Sequence, residues 1–342
     1  MEGPMPRSER IVENLNAALH KVFAEDERAY LIGEDLADPY GGAFKVGRGL
    51  STKYPERVLS TPLSENGLLG VANGLALTGN TVIAEIMFGD FAFLAFDQIV
   101  NFAAKSVSMY GSRQPLRLVV RCPVGGHRGY GPTHSQAVQK HFLGVPDLAL
   151  YELTPFHDSA DVFAEMAERR EPCLHFEDKT LYGRRRWVDG TDELFEFGFA
   201  GPRREYGTAV PRVGATDVDC VIVSTGGTAP LALEAARRLF LEAEIVCRLV
   251  VPSRLYPFDP GPVESMLAGA RRIVVVEEGV AGGTWGADVA DEIYRRLWPS
   301  LRDRVRLVHS RASVIPSAAH LERDVLVQAE DIEKAVREAP ER

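Results

Sequence analysis

The stretch Arg57-Val-Leu-Ser-Thr-Pro-Leu-Ser-Glu-Asn-Gly-Leu-Leu-Gly-Val-Ala-Asn-Gly-Leu-Ala-Leu-Thr-Gly-Asn-Thr-Val-Ile-Ala-Glu-Ile-Met87 reads as strand, helix, strand. A short β-branched run near Arg57–Leu59 is followed by Ser64, a good helix N-cap, which places Glu65 in the first helical turn. The helix runs through Leu77, and Val82–Met87 forms the next strand. Strands joined by a helical crossover lie parallel in one sheet. Gly67, Gly70 and Gly74 recur at helical spacing. Each costs about 1 kcal/mol relative to alanine in a helix interior, so the pattern implies a bare face that another backbone can approach.

The same alternation extends in both directions. Upstream, residues near 8–25 have helical spacing with Ile11, Leu15, Leu19 and Val22 on one face, followed by a strand at Tyr30–Ile32 and a helix at Phe44–Lys53. Downstream lie a longer helix over Phe91–Ser108, strands at Leu116–Arg121, Leu148–Glu152 and Cys173–Phe176, and a helix near Ser159–Ala167. Phe88, Phe93, Phe96 and Phe102 read as core. Residues 180–217 are charged and rich in Gly and Pro, the composition of a linker with room for one hairpin. A second set of alternating strands and helices follows, from Cys220–Ser224 to a final helix near Ile332–Glu338. The expected architecture is α/β, with two parallel-sheet domains at 1–179 and 218–342 joined by a linker at 180–217.

Composition excludes several classes of protein. The 342 residues carry a formal net charge of -9, which argues against a nucleic-acid partner, since neutralising phosphates takes a basic face. No uninterrupted apolar run is long enough to span a bilayer. The segment Met1–Arg10 has no apolar signal core. Cys122, Cys173, Cys220 and Cys247 are far apart and form no C-x-x-C pair. They read as buried thiols of a reducing compartment, so the expectation is a cytoplasmic protein with no protein-held metal site and no membrane partner.

Residues Pro123–Gly144 form a long loop with repeated glycines and several histidines, and such loops inside compact domains are usually functional. His134, in Gly131-Pro-Thr-His-Ser-Gln, is a candidate for proton transfer. His127 and Arg128 lie just upstream, where arginine offers a fork for carboxylate or phosphate. Taken alone, Glu65 is a carboxylate favoured by the helix dipole, and Glu277-Glu278 reads as a solvated strand end.

Thr61-Pro-Leu-Ser-Glu-Asn-Gly resembles the hallmark of the β subunits of pyruvate and branched-chain 2-oxoacid dehydrogenases, members of the transketolase-like superfamily. The likeness continues in order through Glu85-Ile-Met-Phe-Gly-Asp-Phe-Ala-Phe-Leu-Ala-Phe-Asp-Gln-Ile-Val-Asn, Thr133-His-Ser-Gln, His175-Phe-Glu-Asp-Lys-Thr-Leu-Tyr, Arg254-Leu-Tyr-Pro-Phe-Asp, Val275-Val-Glu-Glu-Gly and Gly282-Gly. It implies a pyrimidine-binding domain followed by a transketolase C-terminal-like domain. It also implies that Glu65 exchanges a proton with the aminopyrimidine of thiamine diphosphate, that Phe91 stacks on that ring and Leu63 lines its pocket, and that His134 faces the reacting centre. His127 and Arg128 stand where the family usually carries glycines around one arginine, and the Gly-Pro-Thr-His string resembles transketolases.

Thiamine-diphosphate enzymes hold Mg2+ and the diphosphate through Gly-Asp-Gly and a later Asn, and this chain has no Gly-Asp-Gly. In the family that motif belongs to a separate α subunit, within an assembly of two α and two β chains. The resemblance therefore implies oxidative decarboxylation of a 2-oxoacid, with acyl transfer to the lipoyl group of an acyltransferase component. Two alternatives stand beside it. One is a transketolase-like subunit that moves a two-carbon ketol unit from a ketose phosphate, with an acyl carrier protein as one acceptor. The other is a non-catalytic scaffold.

Overall fold

A computed structural model describes residues 9–190, 192–213 and 218–338. In chain order the first unit comprises α1 (Ile11–Glu25), β1 (Ala29–Glu34), α2 (Leu50–Lys53), β2 (Val58–Thr61), α3 (Glu65–Leu77), β3 (Thr81–Glu85), β4 (Leu118–Val124), β5 (Ala149–Glu152), α4 (Ser159–Arg169) and β6 (Cys173–Asp178). The second comprises β7 (Phe195–Ala200), β8 (Tyr206–Pro211), β9 (Cys220–Ser224), α5 (Ala229–Ala243), β10 (Cys247–Pro252), β11 (Arg254–Tyr256), α6 (Glu264–Gly269), β12 (Arg272–Val280), α7 (Trp285–Leu297), β13 (Arg306–Ser310), α8 (Ala319–Val325) and α9 (Ala329–Arg337). No helix among the described residues is long and apolar enough to cross a membrane.

The strands make two sheets, as the sequence pattern implies. The first has the order β11-β5-β6-β4-β3-β1-β2 and the second β13-β12-β9-β10-β8-β7. All pairings within β1–β6 are parallel. Among the described residues, antiparallel strands occur only at the edges. The β7–β8 hairpin, within 180–217, extends the second sheet, while β11 leaves the second unit and pairs with β5 of the first. That crossover welds the two units, and one apolar cluster runs continuously from Leu150 and Leu174 through Leu255 to Trp285.

Two expected helices differ from their sequence pattern. The helix expected over Phe44–Lys53 shortens to α2. Asp38, distant in sequence, accepts hydrogen bonds from the Gly49 and Thr52 N–H groups and from the Ser51 and Thr52 hydroxyls, which satisfies the free N–H groups of the first turn and sets the helix start at Leu50. They also hold the Asp38 carboxyl far below the usual carboxylate range. In place of one α-helix over Phe91–Ser108 there is a 3₁₀ turn at Gly89–Phe93 and a π-helical stretch at Gln98–Ala104. Irregularities of this kind are common beside functional sites. They leave Phe93 and Phe96 exposed, against the expectation of core.

A buried ion cluster locks the centre of the first sheet. Arg121 on β4 donates to both oxygens of Glu177 on β6, at 2.7 Å each, and to Glu85 on β3 at 2.5 Å. His175 and Tyr182 complete the shell around Glu177. The arginine is 1% exposed and its partners 3% or less. Burial works against ionising Glu177, but the fork of Arg121 and the His175 hydrogen bond bring its pKa down to about 2. Arg121→Met should leave two buried carboxylates uncompensated. We expect a loss of about 3–5 kcal/mol in denaturant stability, and a loss below about 1 kcal/mol would show that the cluster does not hold the sheet together.

Candidate active site

In a parallel sheet the carboxyl ends of all strands share one edge, and ligands bind in the crevice beyond it. All six residues singled out from the sequence lie beyond that edge: Leu63 and Glu65 after β2, Phe91 after β3, and His127, Arg128 and His134 after β4. Glu65 opens α3 just beyond β2 and is 9% exposed. Ser64 occupies the cap position, but its hydroxyl makes no cap. Glu34, at the end of β1, does that work by accepting the Ser64 N–H at 3.0 Å. The second oxygen of Glu34 is buried without a hydrogen-bond partner. Burial pushes its pKa up, the Ser64 N–H opposes this, and the Glu65 and Asp35 carboxylates add to the rise.

After β3, Phe88 and Phe91 meet the loop that follows β4. The His134 ring lies edge-on to Phe88 at 4.7 Å and to Phe91 at 5.2 Å between centroids. Its Nδ1 is 2.9 Å from the Thr133 hydroxyl. Phe91 and His134 are thus brought into ring contact. Leu63, however, is 77% exposed. The bare face of α3 also points outward: Gly74 has no neighbour within 4 Å and Val71 is 53% exposed. No backbone among the described residues packs on it.

His127 and Arg128 diverge. His127 turns towards the second domain, with Nε2 3.4 Å from Glu278 Oε2. Burial pulls its pKa down despite nearby Asp178 and Glu322. Arg128 is exposed, donates one N–H to the Lys179 carbonyl at 2.8 Å, and lies over the Tyr130 ring.

Glu277 and Glu278 overturn the reading of a solvated strand end, since they are 5% and 7% exposed. Glu277 accepts the Trp285 and Gly286 N–H groups and so caps α7. Glu278 accepts the Gly126 N–H at 2.7 Å, across the domain junction. Burial and the neighbouring Asp178 push the Glu278 carboxyl up to about 8, against the Gly126 bond and Lys179. Lys179 is itself fully buried with no hydrogen-bond partner for its ammonium, and burial pulls it down to about 8. The paired acids at 277–278 look like surface residues because a strand pattern cannot show that a second sheet edge covers them. Glu34 was legible in principle, as an acid at the carboxyl end of a parallel strand.

Residues 10–184 match the family described as the transketolase pyrimidine binding domain, and residues 210–332 match the transketolase C-terminal domain. The chain is 30% identical over 318 residues to the pyruvate dehydrogenase E1 component subunit beta of Leifsonia xyli subsp. xyli, covering 92% of this chain and 90% of that one. It is 32% identical to the 2-oxoisovalerate dehydrogenase subunit beta 2 of Arabidopsis thaliana, covering 88% and 81%. It is 30% identical to the acetoin:2,6-dichlorophenolindophenol oxidoreductase subunit beta of Cupriavidus necator, covering 97% and 98%. Among solved structures, a split gene transketolase described as an inactive beta4 tetramer superposes with a TM-score of 0.71 at 21% identity, over 96% of this chain and 97% of that one.

The Glu34 cap can be tested by stability alone. Glu34→Gln retains an acceptor for the Ser64 N–H and should stay within about 0.5 kcal/mol of wild type, whereas Glu34→Ala should lose about 1–2 kcal/mol. Denaturant midpoints that match for the two variants would show that Glu34 does not cap α3.

Proposed function

This chain belongs to the family of 2-oxoacid dehydrogenase E1 β subunits, built from transketolase pyrimidine-binding and C-terminal domains, and on that footing we propose that it is the β half of a thiamine-diphosphate-dependent enzyme. The enzyme would oxidatively decarboxylate a 2-oxoacid and pass the acyl group to a lipoyl group. The observation that carries this reading is that buried Glu65 shares one sheet edge with the Phe91–His134 ring pair.

The residues present fit the ring half of the cofactor. Phe91 offers a flat apolar face for the aminopyrimidine. Glu65 is buried beside a second acid whose free oxygen has no partner, as suits a carboxyl that holds and exchanges a proton at a ring nitrogen. His134, edge-on to Phe91 on the same edge, would give or take a proton at the substrate. When bound, thiamine diphosphate supplies the nucleophilic carbon, and the protein supplies placement and electrostatics.

The diphosphate half is a different matter. The sequence has no Gly-Asp-Gly, and no group of three His, Cys, Asp or Glu among the described residues is arranged to hold a metal ion. In this reading Mg2+ and the diphosphate are held by an α subunit in an assembly of two α and two β chains. Exposed Leu63, Val71 and Leu94 supply apolar area for such a partner. A lipoyl acyltransferase component is the expected acceptor. The names of the relatives include pyruvate and 2-oxoisovalerate, both 2-oxoacids, and acetoin, a hydroxyketone; the proposed substrate is a 2-oxoacid. The likeness to a split gene transketolase is one of fold and does not move the substrate to ketose phosphates. Four unpaired, buried cysteines suit a reducing compartment such as the cytoplasm.

Two measurements test the reading. Glu65→Gln keeps size and hydrogen bonding but loses the transferable proton, so the reconstituted complex should lose roughly a hundred- to ten-thousand-fold in turnover. Near wild-type turnover would remove Glu65 from the role. Titration calorimetry of the chain alone, with thiamine diphosphate and Mg2+, should show no tight binding, because the anionic tail has no clamp here. Binding at about micromolar Kd or tighter would sink the split site.

A further inference from the structure

We propose that Glu278, on the second domain, is a positioning residue for the loop that carries His134. This deepens the reading above and rests on it in one respect, the role given to His134.

The loop after β4 has almost no structure of its own and several glycines, so ordering it is entropically costly. What orders it comes largely from the other domain. Glu278 Oε1, at the end of β12, accepts the Gly126 N–H at 2.7 Å, and its Oε2 lies 3.4 Å from His127 Nε2. Glu322, on α8, is 4% exposed and accepts the Gly129 N–H through both oxygens, at 3.2 and 3.3 Å. At the far end, the Lys140 ammonium donates to the carbonyls of Val280 at 3.0 Å and Gly282 at 2.9 Å.

The start of the loop is also closely packed by side chains. A Cβ at Gly125, whose φ is +89°, would come within 2.4 Å of Asp178 Oδ2, and one at Gly126 within 2.4 Å of Leu326 Cδ1. Gly126 therefore lies close against the Leu326 side chain, just past the end of α8, while its N–H is held by Glu278. His134 follows eight residues later, held by Phe88 and Phe91 at its ring. Displacing the Gly126 anchor would move the backbone from which His134 departs, and small misplacements at a reacting centre are expensive.

Glu278, itself buried, faces Asp178, Lys179, Glu152 and the more exposed His127 at the domain junction. Burial raises its carboxyl, and burial lowers His127. Glu278 thus accepts the Gly126 N–H through one oxygen, while its other oxygen stands 3.4 Å from His127 Nε2. A glutamine reproduces that pattern; an alanine deletes it.

The experiment is hydrogen exchange on the purified full chain, followed by kinetics of the α-reconstituted enzyme. In Glu278→Ala, amides over 125–136 should exchange about tenfold faster or more, while Glu278→Gln should stay within about threefold of wild type. Strands of the first sheet should be unchanged in both. Turnover should fall by about tenfold or more in the alanine variant with KM within about twofold, and glutamine should restore most of it. Should Glu278→Ala not fold, Glu278→Asp, which withdraws the acid by one methylene, should give the same contrast. Unchanged exchange in the alanine variant, equal loosening in alanine and glutamine, or a loosened loop with unchanged turnover would each overturn the proposal. A wild-type complex inactive on every 2-oxoacid would count against the proposed function, while the exchange contrast would still decide whether Glu278 holds the loop.

Discussion

A parallel sheet delivers the carboxyl end of every strand to the same edge, and the rest of this molecule is arranged around that constraint. Glu34, Glu65, the Phe88–Phe91 turn, the loop bearing His134 and Lys179 all leave from it, after β1, β2, β3, β4 and β6 in turn. Their mutual placement is therefore inherited from the register of the strands. Arg121 matters for this reason. By clamping acids on the strands to either side of its own, it holds β3, β4 and β6 in a fixed relation directly beneath the site. Functional groups mounted on rigid elements are placed more accurately than groups on free loops.

The edge is also where the fold tolerates local irregularity. Among the buried polar atoms without a hydrogen-bond partner are Glu34 Oε2, Asp90 Oδ2, Ser135 Oγ and the Lys179 ammonium, all on segments that leave the first sheet's carboxyl ends. The π-helical stretch and the glycine-rich loop border the same region. Buried polar groups are normally satisfied, and exceptions in native structures tend to gather where a protein works. At the domain junction, Glu152 and Glu278 are pushed up to about 7 and about 8, chiefly by burial. The second domain thus acts as more than a cover, because its carboxyl edge supplies acceptors to loops of the first.

Much of this was legible in the sequence. Strands with β-branched runs, helices with apolar stripes and the boundaries of Cys220–Ser224 and Trp285–Leu297 follow from periodicity, because burial on one face or both leaves a pattern that local chemistry can carry. Glu65, Phe91 and His134 stood out through the resemblance of their motifs, and the structure gathers them along one edge. Where a carboxylate distant in sequence sets the helix start, as at Asp38, or where a segment leaves α-helical geometry, as at Gly89–Ala104, periodicity misled.

Tertiary structure alone decided the contacts between segments distant in sequence. Nothing in Arg254–Tyr256 says that it pairs with β5 rather than with its own domain. Nor does Val275-Val-Glu-Glu-Gly reveal that one acid caps a helix and the other holds Gly126, at a sequence separation of 152. The amino-acid sequence by itself determined which residues prefer strand, helix or turn, since those preferences arise from each residue and its near neighbours. Which acid is buried, which glycine is pressed against which side chain, and which face of α3 is left open depended on how two sheet edges meet. That meeting is set by the summed packing of the whole chain, which no short window of sequence contains.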